Sequence, residues 1–357
     1  MRSWRAWVGI AISAVFVYFA FRGQDFGAIR DALKSANLWW LLPALVLYLA
    51  GVWVRAIRWS ILLRPVTDAK PRELLPIVAI GYMANNVLPL RTGEIVRSFT
   101  LQKQRKVPMT SSLATIAVER IFDGLTMLGF MLAAMAFVSF TSELRHLAIV
   151  AFVVFAVLII GLFILTLGGS LVDRLLQIVL GPLPTRIADK VEHLAQSFLG
   201  GLAVLKRRRD LAMVAGTSIL AWSLEASMYW MVARGFSAQL RDAMGIAATL
   251  LTTGVANMAT LIPSSPGYIG QFEYGVKLVV NGALGVPEAE ALAYAIVVHA
   301  ALFFPITLWG AIEWFRRQIS LRNIQELAEG EGIAADAPVP GDPATMVPAR
   351  KAPRIAP

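Results

Sequence analysis

Six stretches of this chain, residues 6–21, 38–54, 111–141, 147–171, 211–233 and 291–312, are charge-free or nearly so over about the length a helix needs to cross a bilayer. At ~1.5 Å per residue, a hydrocarbon core ~30 Å thick takes about 20 mostly apolar residues. Inside lipid no water pairs with the backbone, so such runs fold as helices that satisfy their own N–H and C=O groups. Two further apolar stretches, 74–90 and 243–286, are interrupted, the first by Pro76 and Pro89 and the second by Pro263, Pro266, Gly267 and Gly270. Broken backbone at membrane depth persists only where it is buried in protein or lines a wet cavity. The expected fold class is therefore an all-α polytopic membrane protein, with about six spanning helices and two broken, re-entrant helical hairpins, or eight spans if the second stretch crosses fully.

Composition agrees with that reading and excludes several others. Charged residues make up only 16% and apolar ones 57%, with a mean hydropathy of +0.64, whereas ordinary soluble domains carry about 25% charge. The 33 Lys and Arg against 23 Asp and Glu leave a net charge of +10. Between apolar runs, that excess points to loops facing anionic lipid rather than to nucleic acid. There is no cysteine, which removes disulfides, thiolate nucleophiles and cysteine-held metals. His146, His193 and His299 show no metal-ligand spacing, so neither a metal nor a cofactor is expected. Arg22-Gly23-Gln24 offers no small-residue cleavage site after the first run, which reads as an uncleaved first helix.

Basic residues near helix ends set orientation. Arg55, Arg58, Arg64, Lys70 and Arg72 follow the second run, Lys103, Arg105 and Lys106 follow the first broken stretch, and Lys206 to Arg209 precede residues 211–233. All become cytoplasmic if both termini are inside, which predicts a multi-pass protein of the cytoplasmic membrane. Residues 22–37, the turn Glu143–His146, Arg234–Asp242 and the acidic turn Glu288–Glu290 then lie outside. Residues 173–210 read as a cytoplasmic amphipathic linker, residues 1–317 as one membrane domain, and the Ala-, Pro- and acid-rich residues 318–357 as a disordered tail.

The two broken stretches resemble each other. Ala84 to Glu94 reads A-N-N-V-L-P-L-R-T-G-E, and Ala256 to Glu273 reads A-N-M-A-T-L-I-P-S-S-P-G-Y-I-G-Q-F-E. In the predicted topology one dips in from the cytoplasm and the other from outside. Opposed broken segments of this kind mark inverted-repeat transporters with a site near the midplane.

Several residues have the chemistry for such a site. Arg91, Glu94 and Arg97, spaced by three, share a face of the helix that restarts after Asn85 and Asn86, where free N–H donors and the helix dipole favour an anion such as phosphate. In 111–141, Thr115, Glu119, Asp123 and Thr126 fall within roughly 80° at 100° per residue, and Arg120 widens the sector to roughly 140°. Ionised groups at that depth are too costly to face lipid and must face a bundle interior or cavity. Glu225 stands mid-run with Ser218 and Tyr229 on its face; holding a cationic headgroup, carrying a proton and pairing with Arg120 are all open to it. Asn257, Tyr268, Glu273 and Lys277 mark the second break, Glu273 and Lys277 mirroring Glu94 and Arg97. His299 is expected to be a core histidine with a hydrogen-bond partner. No phosphate loop, zinc motif, nucleophile elbow or dinucleotide pattern is present, so a transporter-like activity is expected rather than an enzymatic one.

N-N-V-L-P-L-R-T-G-E-I-V-R (85–97), V-E-R-I-F-D-G (118–124) and I-P-S-S-P-G-Y-I-G-Q-F-E (262–273) resemble the hallmark segments of the lysylphosphatidylglycerol synthase transmembrane, or flippase-like domain, family. The resemblance implies movement of a lipid between leaflets, with relatives in polyprenyl-linked sugar and hopanoid pathways. About 40 residues follow Arg317, too few for the synthases' soluble aminoacyltransferase domain, so the translocase-like half alone is implied. Tyr268 stands where the family commonly has a second glycine. The implied partners are a membrane lipid, anionic or of polyprenyl or hopanoid type, a membrane-bound lipid-modifying enzyme and a second copy of the chain. A membrane enzyme acting on a lipid-linked sugar and a non-catalytic accessory subunit are the alternatives.

Overall fold

The structure, a computed structural model, describes residues 4–88, 92–139, 141–167, 185–260 and 266–317. Among these residues there are thirteen α-helices and no strand. Six long helices correspond to the six apolar runs: α1 (Trp4–Phe21), α3 (Leu41–Leu63), α6 (Met109–Ala134), α7 (Ser142–Leu167), α9 (Arg208–Ala233) and α13 (Glu288–Arg316). By length and composition Leu38–Leu63, Ser142–Leu162, Arg208–Ala233 and Glu288–Arg316 are long and apolar enough to cross a membrane. α6 is as long as α9 but carries Glu119, Arg120 and Asp123.

Both interrupted stretches are helical hairpins. The first pairs α4 (Pro71–Val87) with α5 (Gly93–Arg105), and the second pairs α11 (Ile246–Ala259) with α12 (Gln271–Val280). With 14 and 10 residues, α11 and α12 rise only about 21 and 15 Å, short of the ~30 Å core. Their arms pack on each other instead. A Cβ on Gly275 would lie 2.9 Å from the Ala256 Cα, and one on Gly93 would run into the Gly81 carbonyl and the Asn85 side chain. Glycine at these two positions is what lets each hairpin close.

Three smaller helices complete the bundle: α2 (Phe26–Ser35), α8 (Thr185–Gly201) and the single-turn α10 (Ala238–Ala243). Packing relations repeat when the two halves of the chain are exchanged. α2–α6 and α8–α13 (without α10) follow the same plan: α4 packs on α13 as α11 packs on α6, α2 packs on α13 as α8 packs on α6, and α3 lies against α9. Equivalent helices α3 and α9 run antiparallel, since Gly51 meets Ala221, Arg58 meets Ser218 and Arg64 meets Asp210. The two-fold relating the halves is thus perpendicular to these helices, in the plane of the membrane they cross, as inverted repeats require.

Four sequence expectations change. Pro76 does not interrupt the first stretch: α4 runs through it from Pro71 to Val87, and the next helix begins at Gly93. Arg55 and Arg58 are not part of a loop cluster: α3 runs through both to Leu63, and they are 3% and 0% exposed. Glu143 to His146 belong to the first turns of α7. Within 173–210, residues 185–201 are the helix α8, and Asp210 is buried and paired with Arg64 at 2.6 Å. Residues 168–184 and the expected tail, 318–357, lie outside the described residues.

Candidate functional site

Glu119 and Asp123 are one turn apart on the inner face of α6, both essentially buried, and Asp123 is at the helix's middle. Two carboxylates at that depth require partners, because an isolated buried charge costs several kcal/mol. Four guanidiniums from three helices surround these carboxylates and Glu225. Arg97 of α5 forks onto Glu119 at 3.0 and 3.2 Å and lies 4.1 Å from the centre of the Trp59 ring. Arg120 reaches Glu119 at 2.5 Å and Asp123 at 3.3 Å. Arg58 of α3 donates to Asp123 at 2.6 Å and to Ser218 at 2.8 Å, and its other nitrogen stands 3.4 Å from Glu119. The Trp222 indole N–H also donates to Asp123, at 2.7 Å.

Glu225 pairs with Arg55, at 2.7 Å, and not with Arg120. Asn257, from the second hairpin, donates to Glu225 at 3.2 Å and to the Tyr229 hydroxyl at 3.1 Å. Arg55 and Glu225 are one of several pairs that join the two halves, one on α3 and one on its antiparallel equivalent α9. Sequence reasoning missed Arg55 and Arg58, taking the first charges after an apolar run as the end of the helix. A signal was present: three intramembrane carboxylates with Arg120 alone to balance them call for further cations on a neighbouring helix.

Between the hairpins is a cavity of about 130 Å³, room for about four waters at ~30 Å³ each. Its wall includes Arg55, Arg120, Asp123, Glu225, Asn85, Asn86, Asn257 and Tyr268, with Tyr48, Tyr82, Trp222, Phe272, His299 and Phe303 as its aromatic surface. Arg55 is sealed at 4% side-chain exposure, whereas Arg120 retains 29%. Its Nε is buried without a hydrogen-bond partner. Arg120 is therefore the more accessible of the two guanidiniums that line the cavity.

Described residues beside both hairpin breaks line this cavity. Asn85 accepts from the Gly93 N–H at 2.7 Å and reaches Glu94 at 3.5 Å, and Asn86 donates to Thr307 on α13 at 2.8 Å. At the second break Glu273 accepts from the Gly270 N–H at 2.7 Å, and its other oxygen lies 2.5 Å from His299 Nδ1. Gly267, Tyr268 and Gly270 all have positive φ, Tyr268 at 57°, a conformation glycine adopts freely. Tyr268 thus occupies a backbone conformation that a glycine would adopt without strain. Lys277 stands apart from the cavity: it donates to the Ala20 carbonyl at 3.0 Å and to that of Phe19, and pairs with Glu288, which ties α12 to α1. Arg91 lies outside the described residues. No group of three His, Cys, Asp or Glu able to hold a metal occurs among the described residues.

Comparison with known proteins places this architecture. The family model described as the lysylphosphatidylglycerol synthase TM region matches residues 6–310. A UPF0104 membrane protein of Methanothermobacter thermautotrophicus is 26% identical over 84% of this chain and 93% of its own length. A second UPF0104 membrane protein, from Methanocaldococcus jannaschii, is 23% identical over 69% of this chain and 98% of its own. The glycosyltransferase AglD of Haloferax volcanii is 24% identical over 85% of this chain, which spans about half (53%) of that relative. No solved structure matches the chain.

Proposed function

The chain belongs to the lysylphosphatidylglycerol synthase transmembrane-region family, and from that premise we propose that this multi-pass membrane protein is a lipid translocase. A phosphate-bearing headgroup enters the cavity between the two opposed hairpins while the acyl chains stay in the bilayer. The observation that carries this reading is Arg120: a guanidinium at the centre of a buried charge network that lines the cavity between the hairpins and keeps 29% side-chain exposure. Guanidinium is the side chain best shaped for phosphate oxygens. Glu119 and Asp123 hold it in place, Arg55, Glu225 and Asn257 form the opposite wall, and Arg97 supports the cluster from α5. Asn85, Asn86, Glu94, Tyr268 and Glu273 shape the two breaks, and Lys277 anchors the second hairpin to α1. Arg91, three residues before Glu94 in the sequence, is assigned to the entering phosphate on its chemistry alone. The cytoplasmic membrane, with both termini inside, is the location and orientation that fit the remaining basic clusters.

The test is leaflet exchange. Purified protein is reconstituted with fluorescent phospholipids of several headgroups, and the outer leaflet is chemically bleached. Protein-dependent loss of the inner pool is expected, falling at least tenfold in Arg120→Gln, an amount equal to about 1.4 kcal/mol. Equal rates in that variant and the unaltered protein would remove the site assignment.

The similarity to a named glycosyltransferase favours one second reading, in which the chain handles lipid-linked sugar beside, or as part of, a transferase. Glycosyl transfer by the purified chain from a lipid-linked donor, without leaflet exchange, would favour it.

A further inference from the structure

We propose that the Glu273–His299 pair is a proton-binding site, and that lipid movement by this protein is coupled to proton movement through it. This rests on the translocase reading and adds its energy source. The two breaks differ in the group that faces their carboxylate. At the first break the carboxylate Glu94 faces the amide of Asn85, and the α6 carboxylates are held by guanidiniums, whose charge is fixed at any physiological pH. At the second break the equivalent carboxylate, Glu273, faces an imidazole, 2.5 Å from His299 Nδ1. Imidazole is the side chain that gains and loses charge in the neutral range.

Its position makes the protonation matter mechanically. One Glu273 oxygen accepts from the Gly270 N–H, the N-cap of α12, while the other meets His299 on α13. Gly270 and the neighbouring Gly267 and Tyr268 have positive φ, so the carboxylate that senses the imidazole also holds the bend. His299 lines the cavity and keeps 13% side-chain exposure, which gives water a route to it. Protonation puts a second proton on the ring and turns a hydrogen bond from a neutral imidazole to the carboxylate into an imidazolium–carboxylate ion pair. The same proton returns to water when the pair separates, so one proton enters and one leaves per cycle.

The other charged and titratable groups around the pair are accounted for. From α3, Tyr48 and Arg55 line the shared cavity, with Arg120 and Asp123 from α6 and Glu225 from α9, and Tyr229 of α9 packs on Phe272. Both arginines are paired. α4 contributes Tyr82 and Asn86. α1 meets α12 at Tyr274 and Lys277, and α2 meets α13 at Leu292 and Ala293, beyond the pair.

Net lipid accumulation is measured in proteoliposomes carrying an imposed pH gradient, with a pH-sensitive dye inside, for the unaltered protein and for His299→Gln. The unaltered protein is expected to accumulate lipid along the gradient and to admit protons as it does so. Its exchange rate should depend on the pH of the medium. His299→Gln, which keeps a hydrogen bond to Glu273, should exchange lipid without accumulation and with a flat pH profile. Exchange by the unaltered protein that ignores the gradient and moves no protons overturns the coupling but leaves the translocase reading intact. Gradient-driven accumulation by His299→Gln also overturns it. Absence of exchange at every pH overturns the translocase reading itself. If His299→Gln fails to fold, the dye signal of the unaltered protein decides alone.

Discussion

Arg58 has no exposed surface, yet its guanidinium contacts Asp123, Ser218 and Glu119 from three directions. Removing one member of a buried ion cluster leaves the others uncompensated, at a cost of about 3–5 kcal/mol. Arg58→Met is therefore expected to lower the thermal midpoint in detergent by more than Arg120→Gln does, because Arg120 is partly solvated and Glu119 keeps Arg97. Equal losses would contradict the hub assigned to Arg58. Tyr268 supplies a second residue-level test. With φ at 57°, a β-branched side chain there should be less stable than glycine by about 1–2 kcal/mol, measured as the difference between Tyr268→Val and Tyr268→Gly. At this scale the sequence was legible wherever a charge interrupts an apolar run: the 100° arithmetic put Glu119 and Asp123 on one face, and Ser218, Glu225 and Tyr229 on another, as the structure has them. It failed for Arg55 and Arg58 because a charge near a helix end reads equally as an interfacial anchor or as a buried partner. Only the carboxylates on α6 and α9, far away in sequence, distinguish the two.

The hairpins show what decides an element's limits in such a chain. Pro76 sits within the first stretch but close to its start, and the helix passes through it; the break comes where Asn85 turns its amide oxygen to the Gly93 N–H. That bond does the work of an N-cap. Asn85→Ala should cost about 1 kcal/mol of stability, whereas Gly93→Val, which drives a side chain into the Gly81 carbonyl and Asn85, should prevent the hairpin from closing and leave little folded protein by size-exclusion chromatography. A Gly93→Val protein of normal yield and midpoint would contradict the packing described. The motif spacing carried the existence of both hairpins, because Pro, Gly and Asn inside an apolar stretch leave few alternatives. It did not carry the closeness of their arms, which depends on Gly81, Gly93 and Gly275 meeting partners across the hairpin.

For the molecule as a whole, a translocase built on this exchange symmetry would work by swapping the roles of the halves between two arrangements. The described arrangement ties the first hairpin to the last helix through Asn86 and Thr307. The chain has no cysteine, so Asn86→Cys with Thr307→Cys introduces one defined disulfide. If rocking of the halves moves lipid, oxidation should stop leaflet exchange and reduction should restore it; exchange that continues through oxidation would contradict the motion. The central claim is narrower: a lipid headgroup occupies the cavity beside Arg120. It is tested most directly by photolabelling the protein in membranes with a phospholipid whose photoreactive group is on the headgroup, and mapping the labelled residues by mass spectrometry. The account predicts labels on Tyr82, Tyr268 and Phe303, which line the cavity, and their loss in Arg120→Gln. Labels confined to helix ends, unchanged by that substitution, would contradict it.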